Sequence, residues 1–593
     1  MTLRFKPFWY DFIGLLRGLV RKIQDDDVFQ RAVELAGQDH VHQAYPDPSQ
    51  PPLISFVVPV YNTKAAYLDD LAASFHLQLK TGVACELVLS DDGSTSRQTL
   101  KRLEKLGREE GVVVVRSAQN GGIARATNLG VEAARGQWIG LVDHDDALAP
   151  FAAERIARTL AQHPDCEFLY TDEVIADAAL RPQGFFLKPA WDVVLLSGVN
   201  YVNHLSLYRR DRFLRMGGVR EGFEGSQDYD LVLRYTAGLS DREILHLPYP
   251  AYLWRRDGAS YSALFLEAAT RHARRALGQR FGRPDADAVI DEALTPNLHR
   301  VRFDAMQTSW PKVSVIIPSI DHHELISRTL RGLCEETDYP DLEIIVVDNG
   351  TQDPQVLDLY AQYEERAPAF KAILHKEDFN FSRSINRGLE YASGDMILLL
   401  NNDVEIREPG WLKEMVSCMS YERAGIVGAR LLYPSGAFQH VGVMVGFGGL
   451  AGHWFVEEPG DFVGPMARLQ VRQSFSAVTG ACMLVSRACL EKVGRLDEQA
   501  FAIAYNDIDY CLRAGEQGFR IVWTPFATLI HHESATRGSD VAPDKIERFR
   551  REQDNLRARH QTDCFEDPAI NPWYSKDRSH PILVKRNALP GAR

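Results

Sequence analysis

The triplet Asp143-His144-Asp145 closes the apolar run QWIGLV at residues 137–142. Carboxylates held at the end of a buried strand are hard oxygen donors, suited to a divalent cation such as Mg2+ or Mn2+. The D-x-D pattern alone carries little weight. It recurs at Asp25/Asp27, Asp228/Asp230, Asp285/Asp287 and Asp507/Asp509, and an isolated copy reads more simply as a solvated acidic loop. Two features set Asp143 and Asp145 apart: their place at a strand end, and a counterpart, Asn401-Asn402-Asp403, after the apolar run ILLL.

That counterpart belongs to an internal repeat. LISFVVPVYN (53–62) and VSVIIPSID (313–321) are β-branched runs ended by proline, as buried parallel strands are. ELVLSDDGST (86–95) and EIIVVDNGT (343–351) follow, each a strand entering an acidic, glycine-bearing turn. Residues 120–146 then match residues 379–403, with Asn128 and Asn386 at corresponding places. Strands alternating with helices predict an α/β fold of βαβ units around a mostly parallel sheet. Ligands of such sheets sit beyond the carboxyl ends of the strands, which places Asp92, Asp145, Asp348 and Asp403 at the ligand edges. The second copy carries a glycine-bearing insertion between about 430 and 480. No G-x-G-x-x-G follows either first strand, which argues against a dinucleotide-dependent oxidoreductase.

The 593 residues are 45% hydrophobic, and 80 acidic side chains outnumber 67 basic ones for a formal charge of −13. This composition excludes a disordered chain, a fibre and a small disulfide scaffold. It also argues against nucleic acid as a partner, since no basic domain stands out. The eight cysteines are scattered without metal-binding spacing and read as reduced thiols of a cytoplasmic protein. Near the start, Phe8, Phe12, Leu15, Leu16, Leu19 and Ile23 share one helical face, interrupted by Arg17, Arg21 and Lys22. This helix is too short to span a bilayer. It either rests on anionic lipid, as a peripheral contact with the inner membrane, or packs on the chain's own surface. The predicted organisation is a helical segment over 1–50, α/β domains over 51–300 and 301–539, and a helical tail over 540–593.

Along both copies the motifs resemble, in order, those of family 2 glycosyltransferases. The first half has VVPVYN, SDDGS, GGIARATNLG, VDHDD, YTDE, KPAWD and GSQDYDLVLR. The second has VSVIIPS, VVDNGT, FNFSRSINRG, LNNDVEI, AVTGACMLVSR, YNDIDYCLR and TPFATLIHHESATRG. The likeness runs from about residue 53 to 575, and the chain resembles tandem-domain transferases of bacterial O-antigen, capsule and rhamnan assembly. It implies two GT-A domains, a nucleotide-sugar donor, Mg2+ or Mn2+, and inverting hexosyl transfer to a saccharide acceptor on a polyprenyl-diphosphate carrier. Carried over residue by residue, Asp92 and Asp348 would bond the nucleobase, and Pro59, Tyr61 and Pro318 would line its pocket. Arg125 would approach the diphosphate. Asp145 and Asp403 would bind the metal with Asp143 assisting, and His532 would join on the metal side, with neighbouring His531 as the alternative. Asp228 and Asp507 would be general bases, taking the proton from the attacking hydroxyl. Both also stand where helices start, so capping is a second role for each. The first half departs from the family pattern where Arg255, Arg256 and Asp257 replace a histidine, and the second where Asn401 replaces the first aspartate. Two working sites are expected. The alternatives are one active half with an acceptor-binding partner half, and a binding protein without turnover.

Overall fold

The computed structural model describes residues 27–40, 51–256, 266–283, 286–532, 543, 545–577, 579–580 and 582–584. The amphipathic positions Phe8 to Ile23 and Asp257, which could supply an oxygen to the metal in the histidine's place, lie outside the described residues.

The first half folds around strands β1 (Ile54–Val60), β2 (Cys85–Asp91), β3 (Val112–Arg116), β4 (Trp138–Leu141), β5 (Ala147–Leu148), β6 (Phe168–Ala176), β7 (Pro182–Phe186), β8 (Ser206–Arg209) and β9 (Ile244–Arg255). Their order in the sheet is β3-β2-β1-β4-β8-β6-β9-β5, with β7 beside β6. A two-stranded ribbon, β10 (Ile290–Glu292) and β11 (His299–Val301), leads to the second half. There β12 (Val313–Ser319), β13 (Leu342–Asp348), β14 (Phe370–Leu374), β15 (Met396–Leu400), β16 (Val404–Ile406) and β17 (Ala424–Leu432) come first. The insertion supplies β18 (Phe438–His440), β19 (Val443–Val445), β20 (Ala451–His453) and β21 (Gln473–Ser474), before β22 (Cys482–Ser486) and β23 (Arg520–His531). The second order, β14-β13-β12-β15-β22-β17-β23-β16, repeats the first position by position.

Each sheet has a parallel core of four strands, because βαβ crossovers return the chain in the same direction. β8 and β22 then run antiparallel to both their neighbours. The central strands β1 and β12 are buried on both faces, as their unbroken apolar runs require. Pro59 pairs with Ser90 and Pro318 with Val347, so Asp348 corresponds to Asp91, and Asp92 corresponds to Asn349.

The repeat extends to helix packing. Gly130 and Gly388 sit where helices Ile123–Ala133 and Phe381–Leu389 press on the sheets. A Cβ at either would overlap Val57 or Ile316 of the first strand beneath. Gly388→Ala is expected to destabilise the second half by about 1–3 kcal/mol through overpacking. Urea denaturation followed by circular dichroism checks this, and an unchanged midpoint would refute it.

The halves are joined by polar contacts as well as by chain. Ser474 donates N–H and hydroxyl bonds of 2.7 Å each to Asp192, and Ser197 meets Tyr421 at 2.6 Å. Helix 27–38 packs Val28, Phe29, Ala32 and Ala36 onto the first half. Of the tail, Ile546–His560 is helical and covers the second half. Beyond it, Asp567 accepts from Val445 N–H at 2.7 Å, and Asn571 donates to Asp172 at 2.8 Å, so this segment touches both halves. No helix among the described residues is long and apolar enough to cross a membrane.

Candidate active site

In the second half a cavity of about 470 Å³ opens at the carboxyl ends of the strands. Pro318, Asp403 and Asp507 line it together, with Asn401, Gly480 and His531. Asp403 is buried, and its Oδ1 accepts no hydrogen bond among the described residues. His531 Nε2 lies 3.1 Å from that oxygen and 3.3 Å from Asn401 Nδ2. The pairing of β16 with β23 sets this choice: Val404 stands opposite His531. Successive side chains of a strand point to opposite faces. His532 accordingly faces away from the cavity, 3.0 Å from Glu405 Oε2 and 2.8 Å from Arg328 Nη1.

Asp507 stands in the first turn of helix Asn506–Glu516, where a negative charge complements the helix dipole. Its carboxylate accepts N–H bonds from Gly480 at 2.8 Å and from Ile508 at 2.9 Å. The loop before it is held by Glu552 of the tail helix, which accepts from Ile503 at 2.9 Å and Ala504 at 3.2 Å. Tyr505 is the N-cap here and Ser226 is the N-cap of the first-half helix, so neither Asp507 nor Asp228 caps; each acts on its helix through charge in the first turn, which is compatible with proton removal.

The first half repeats this plan with different chemistry. Asp228 opens helix Gln227–Tyr235 and accepts from Asn200 at 3.1 Å and from Asn203. Burial raises its pKa, against the pull of His204. Asp143 and Asp145 remain half-exposed, and burial raises Asp145 as well, with Asp143 adding to it. Beside them, Asp146 is buried and pushed up to about 8 by burial and by Asp143. It accepts from Tyr252 at 2.6 Å and from Arg255 N–H at 2.7 Å. His204 sits 3.4 Å from Asp143 and 3.6 Å from Glu173. Burial would depress this imidazole, but Glu173, Asp143 and Asp146 outweigh it and raise it to about 10. Arg255, which the register matches to His532, donates to the Asp145 carbonyl at 2.6 Å and pairs with Asp70 at 2.8 Å.

The remaining candidates lie around the strand ends. Asp92 accepts N–H bonds of 2.8 Å from both Gly121 and Gly122, just ahead of helix Ile123–Ala133. Asp348 is fully buried and accepts from Gly350 at 2.9 Å, Thr351 at 2.7 Å and Tyr360 at 2.9 Å. Tyr61 is exposed beside the partly buried Pro59. Arg125 pairs with Glu221 at 2.8 Å, and the corresponding Arg383 pairs with Glu498 at 3.2 Å. Sequence reasoning missed Asn203, His204 and Asp146. Aligning VNHLSLYR on the quoted TGACMLVSR would have set Asn203 over Gly480, the two residues that hold the base carboxylates.

Two mixed α/β sheets in tandem, each with an acidic strand end facing a carboxylate at a helix start, define a pair of GT-A glycosyltransferase domains. Residues 55–214 and 314–494 each match Glycosyl transferase family 2, and the chain belongs to that family. It is 38% identical over 536 residues to an uncharacterized protein of Sinorhizobium fredii, covering 90% of this chain and 58% of that protein. It is 36% identical over 501 residues to the O-antigen biosynthesis protein RfbC of Myxococcus xanthus, covering 84% of this chain and 38% of that protein. The chain therefore spans only part of these relatives' length. An N-acetylglucosaminyl-diphospho-decaprenol L-rhamnosyltransferase of Mycobacterium tuberculosis is 25% identical over 238 residues, or 37% of this chain and 75% of its own. Among solved structures, a Pyrobaculum calidifontis mannosyltransferase with GDP-Man and Mn2+ aligns at 18% identity and a TM-score of 0.31, covering 46% of this chain and 69% of that one.

Among the described residues no three His, Cys, Asp or Glu side chains converge on one point. A carboxylate and an imidazole with an unpartnered buried oxygen between them still fit Mg2+ or Mn2+. These ions are commonly held by one or two protein groups, with phosphate oxygens and water completing the shell.

Proposed function

We propose that each half is a metal-dependent inverting glycosyltransferase. Each moves one sugar from a nucleotide-sugar donor to a growing bacterial surface polysaccharide on a polyprenyl-diphosphate carrier. The observation that carries this reading is the second-half cavity, which Asp403, His531 and Asp507 line together. A donor diphosphate belongs beside Asp403 and His531, and an acceptor hydroxyl beside Asp507. Asp507 takes the hydroxyl proton there, and Asp228 does so in the first half. Asp403 with His531, and Asp145 with Asp143, hold the cation. When bound, Mg2+ or Mn2+ neutralises charge developing on the leaving diphosphate. His532 acts behind the site, through Glu405. Pro59, Tyr61 and Pro318 flank the nucleobase, and Asp92 and Asp348 shape the turns beside it. Arg125, released from Glu221, reaches the diphosphate. The domains are 51–300 and 301–539, flanked by 1–50 and 540–593. The names of the Myxococcus and Mycobacterium relatives support a polysaccharide product and a lipid carrier. Such a carrier places the enzyme in the cytoplasm, against the inner membrane.

A second reading has one active half and one acceptor-binding half. It is favoured by Trp254, which stands in β9 where His531 stands in β23.

The test is release of nucleoside diphosphate by the full chain from a panel of UDP-, dTDP- and GDP-sugars with an acceptor extract. EDTA is expected to slow release by at least about 100-fold, and Mn2+ to restore it. No release from any donor with Mn2+ present would leave a binding protein instead.

A further inference from the structure

The two halves each turn one imidazole toward the acidic strand end, but they deliver it from different strands. In the second half it is His531 of β23, with Nε2 3.1 Å from Asp403. Asp145 corresponds to Asp403, so Ala147 corresponds to Glu405. Ala147 pairs with Leu253 and Glu405 with Ile530, so Trp254 occupies the His531 position. The first half instead presents His204, two residues before β8, with Nε2 3.4 Å from Asp143. Leu141 pairs with Ser206 and Leu399 with Met483, so the second-half residue at the His204 position is Ala481.

The exchange involves more than one residue. Glu173 pairs with Tyr252 across β6 and β9, as Leu431 pairs with Leu529 across β17 and β23. The first half thus has Glu173, His204 and Tyr252 where the second has Leu431, Ala481 and Leu529. These three polar residues act on one another. The Tyr252 ring stacks on His204 with centroids 5.0 Å apart and planes 16° from parallel. Glu173 Oε2 lies 3.6 Å from His204 Nδ1, and Glu173 Oε1 lies 2.7 Å from Lys188 Nζ. Lys188 also donates to the His204 carbonyl at 2.7 Å, so one buried ammonium fixes both the carboxylate and the backbone of the histidine. A metal-ligating histidine usually offers its second ring nitrogen to a carboxylate, which sets the ring's orientation. Lys188, Glu173, His204 and Asp143 form such a chain, ending at the acidic triplet. His531 has no such carboxylate: among the described residues its ion pair is with Asp403 alone, through Nε2.

We infer that His204 is the metal-side imidazole of the first site, oriented by Glu173, and that it replaces from β8 the ligand that Trp254 displaced from β9. This rests on the proposed function, because it assumes that the first half binds a divalent cation with its donor. The first half is then a complete site of different construction, not a degenerate copy.

Pulsed electron paramagnetic resonance of bound Mn2+ tests this, with the full chain and UDP, GDP or dTDP. In the Asp403→Asn/His531→Ala chain, the bound Mn2+ should still show the 14N modulation of a coordinated imidazole. Adding His204→Ala should abolish it, and adding Glu173→Gln should weaken Mn2+ binding by about tenfold or more. Mn2+ bound to the double variant without 14N modulation would overturn the inference even if the His204 variant failed to fold. Modulation that survives His204→Ala would overturn it as well. No Mn2+ bound to the unmodified chain with any of the three nucleotides would remove the metal-dependent reading itself, and this inference with it.

Discussion

Asp507→Asn is expected to leave the second half folded and able to bind donor while slowing its transfer step by about two to four orders of magnitude. The amide has the size of the carboxylate, and its oxygen can still accept from Gly480 or Ile508, which now share the 2.8 and 2.9 Å bonds to Asp507. What it cannot do is take a proton. Asp507→Ala separates the two roles: it also removes the first-turn charge that complements the helix dipole, at a further cost of about 0.3–1 kcal/mol of stability. Asp228→Asn should do the same to the first half. There the carboxylate is held by side-chain amides of Asn200 and Asn203 as well as by the Tyr229 N–H. The measurement is linkage analysis of the product made by each variant of the full chain. The variant of the later-acting half should lose one linkage, and the variant of the earlier-acting half should lose both. If either single variant leaves every linkage intact, that half does not transfer.

The parts of this site that could be read from sequence are those fixed by local pattern. Apolar runs ended by proline located β1 and β12, and the acidic residues after QWIGLV and ILLL followed as strand ends. Asp228 and Asp507 were legible through the family resemblance carried by GSQDYDLVLR and YNDIDYCLR, since helix capping also explains a carboxylate at a helix start. The choice between His531 and His532 was not legible. It depends on which face of β23 meets the cavity, and pairing with β16, more than a hundred residues away in sequence, decides that. The adjacent Asp91 and Asp92 posed a similar problem, since only the strand register matches Asp348 to Asp91. His204 escaped for another reason. A search for matching positions in a repeat passes over a residue whose counterpart is alanine, and Glu173 and Lys188, which orient it, are distant in sequence. The tail read as a charged helix because its arginines and acids dominate the composition. Its buried Glu552, bonded to the loop before Asp507, gives no periodic signal.

The second large effect falls on stability. Glu414→Gln is expected to destabilise the second half by about 3–5 kcal/mol, the cost of breaking a buried ion pair from one side. Glu414 lies in helix Trp411–Ser417 and is almost wholly buried, as is Arg472. Arg472 donates Nε and Nη2 bonds of 2.7 Å to the two carboxylate oxygens, which also accept from Thr524 at 2.6 Å and Arg300 at 2.8 Å. Burial alone would raise the Glu414 pKa, but Arg472 and Arg300 hold it well below the usual carboxylate range. A depressed folded pKa means that the contribution is present above the unfolded carboxylate pKa and is lost as pH falls through the folded value, so at neutral pH it is fully in place. Arg472 also donates to the Val301 carbonyl at 2.7 Å. One carboxylate therefore joins the linker, a helix, the strand β23 and the end of the insertion. The amide leaves two guanidinium charges facing each other without a counter-charge. Urea denaturation at neutral pH measures the loss, and a cost below about 1 kcal/mol would show that the charge on Glu414 is dispensable. The double variant Glu414→Leu/Arg472→Met distinguishes attraction from desolvation. If most of the single-variant cost comes from an orphaned buried cation, removing both charges recovers much of the stability, because a well-packed apolar pair can match a buried ion pair. If the double variant is as unstable as Glu414→Gln, the network holds the halves together through its hydrogen bonds to Thr524, Arg300 and Val301 rather than through charge.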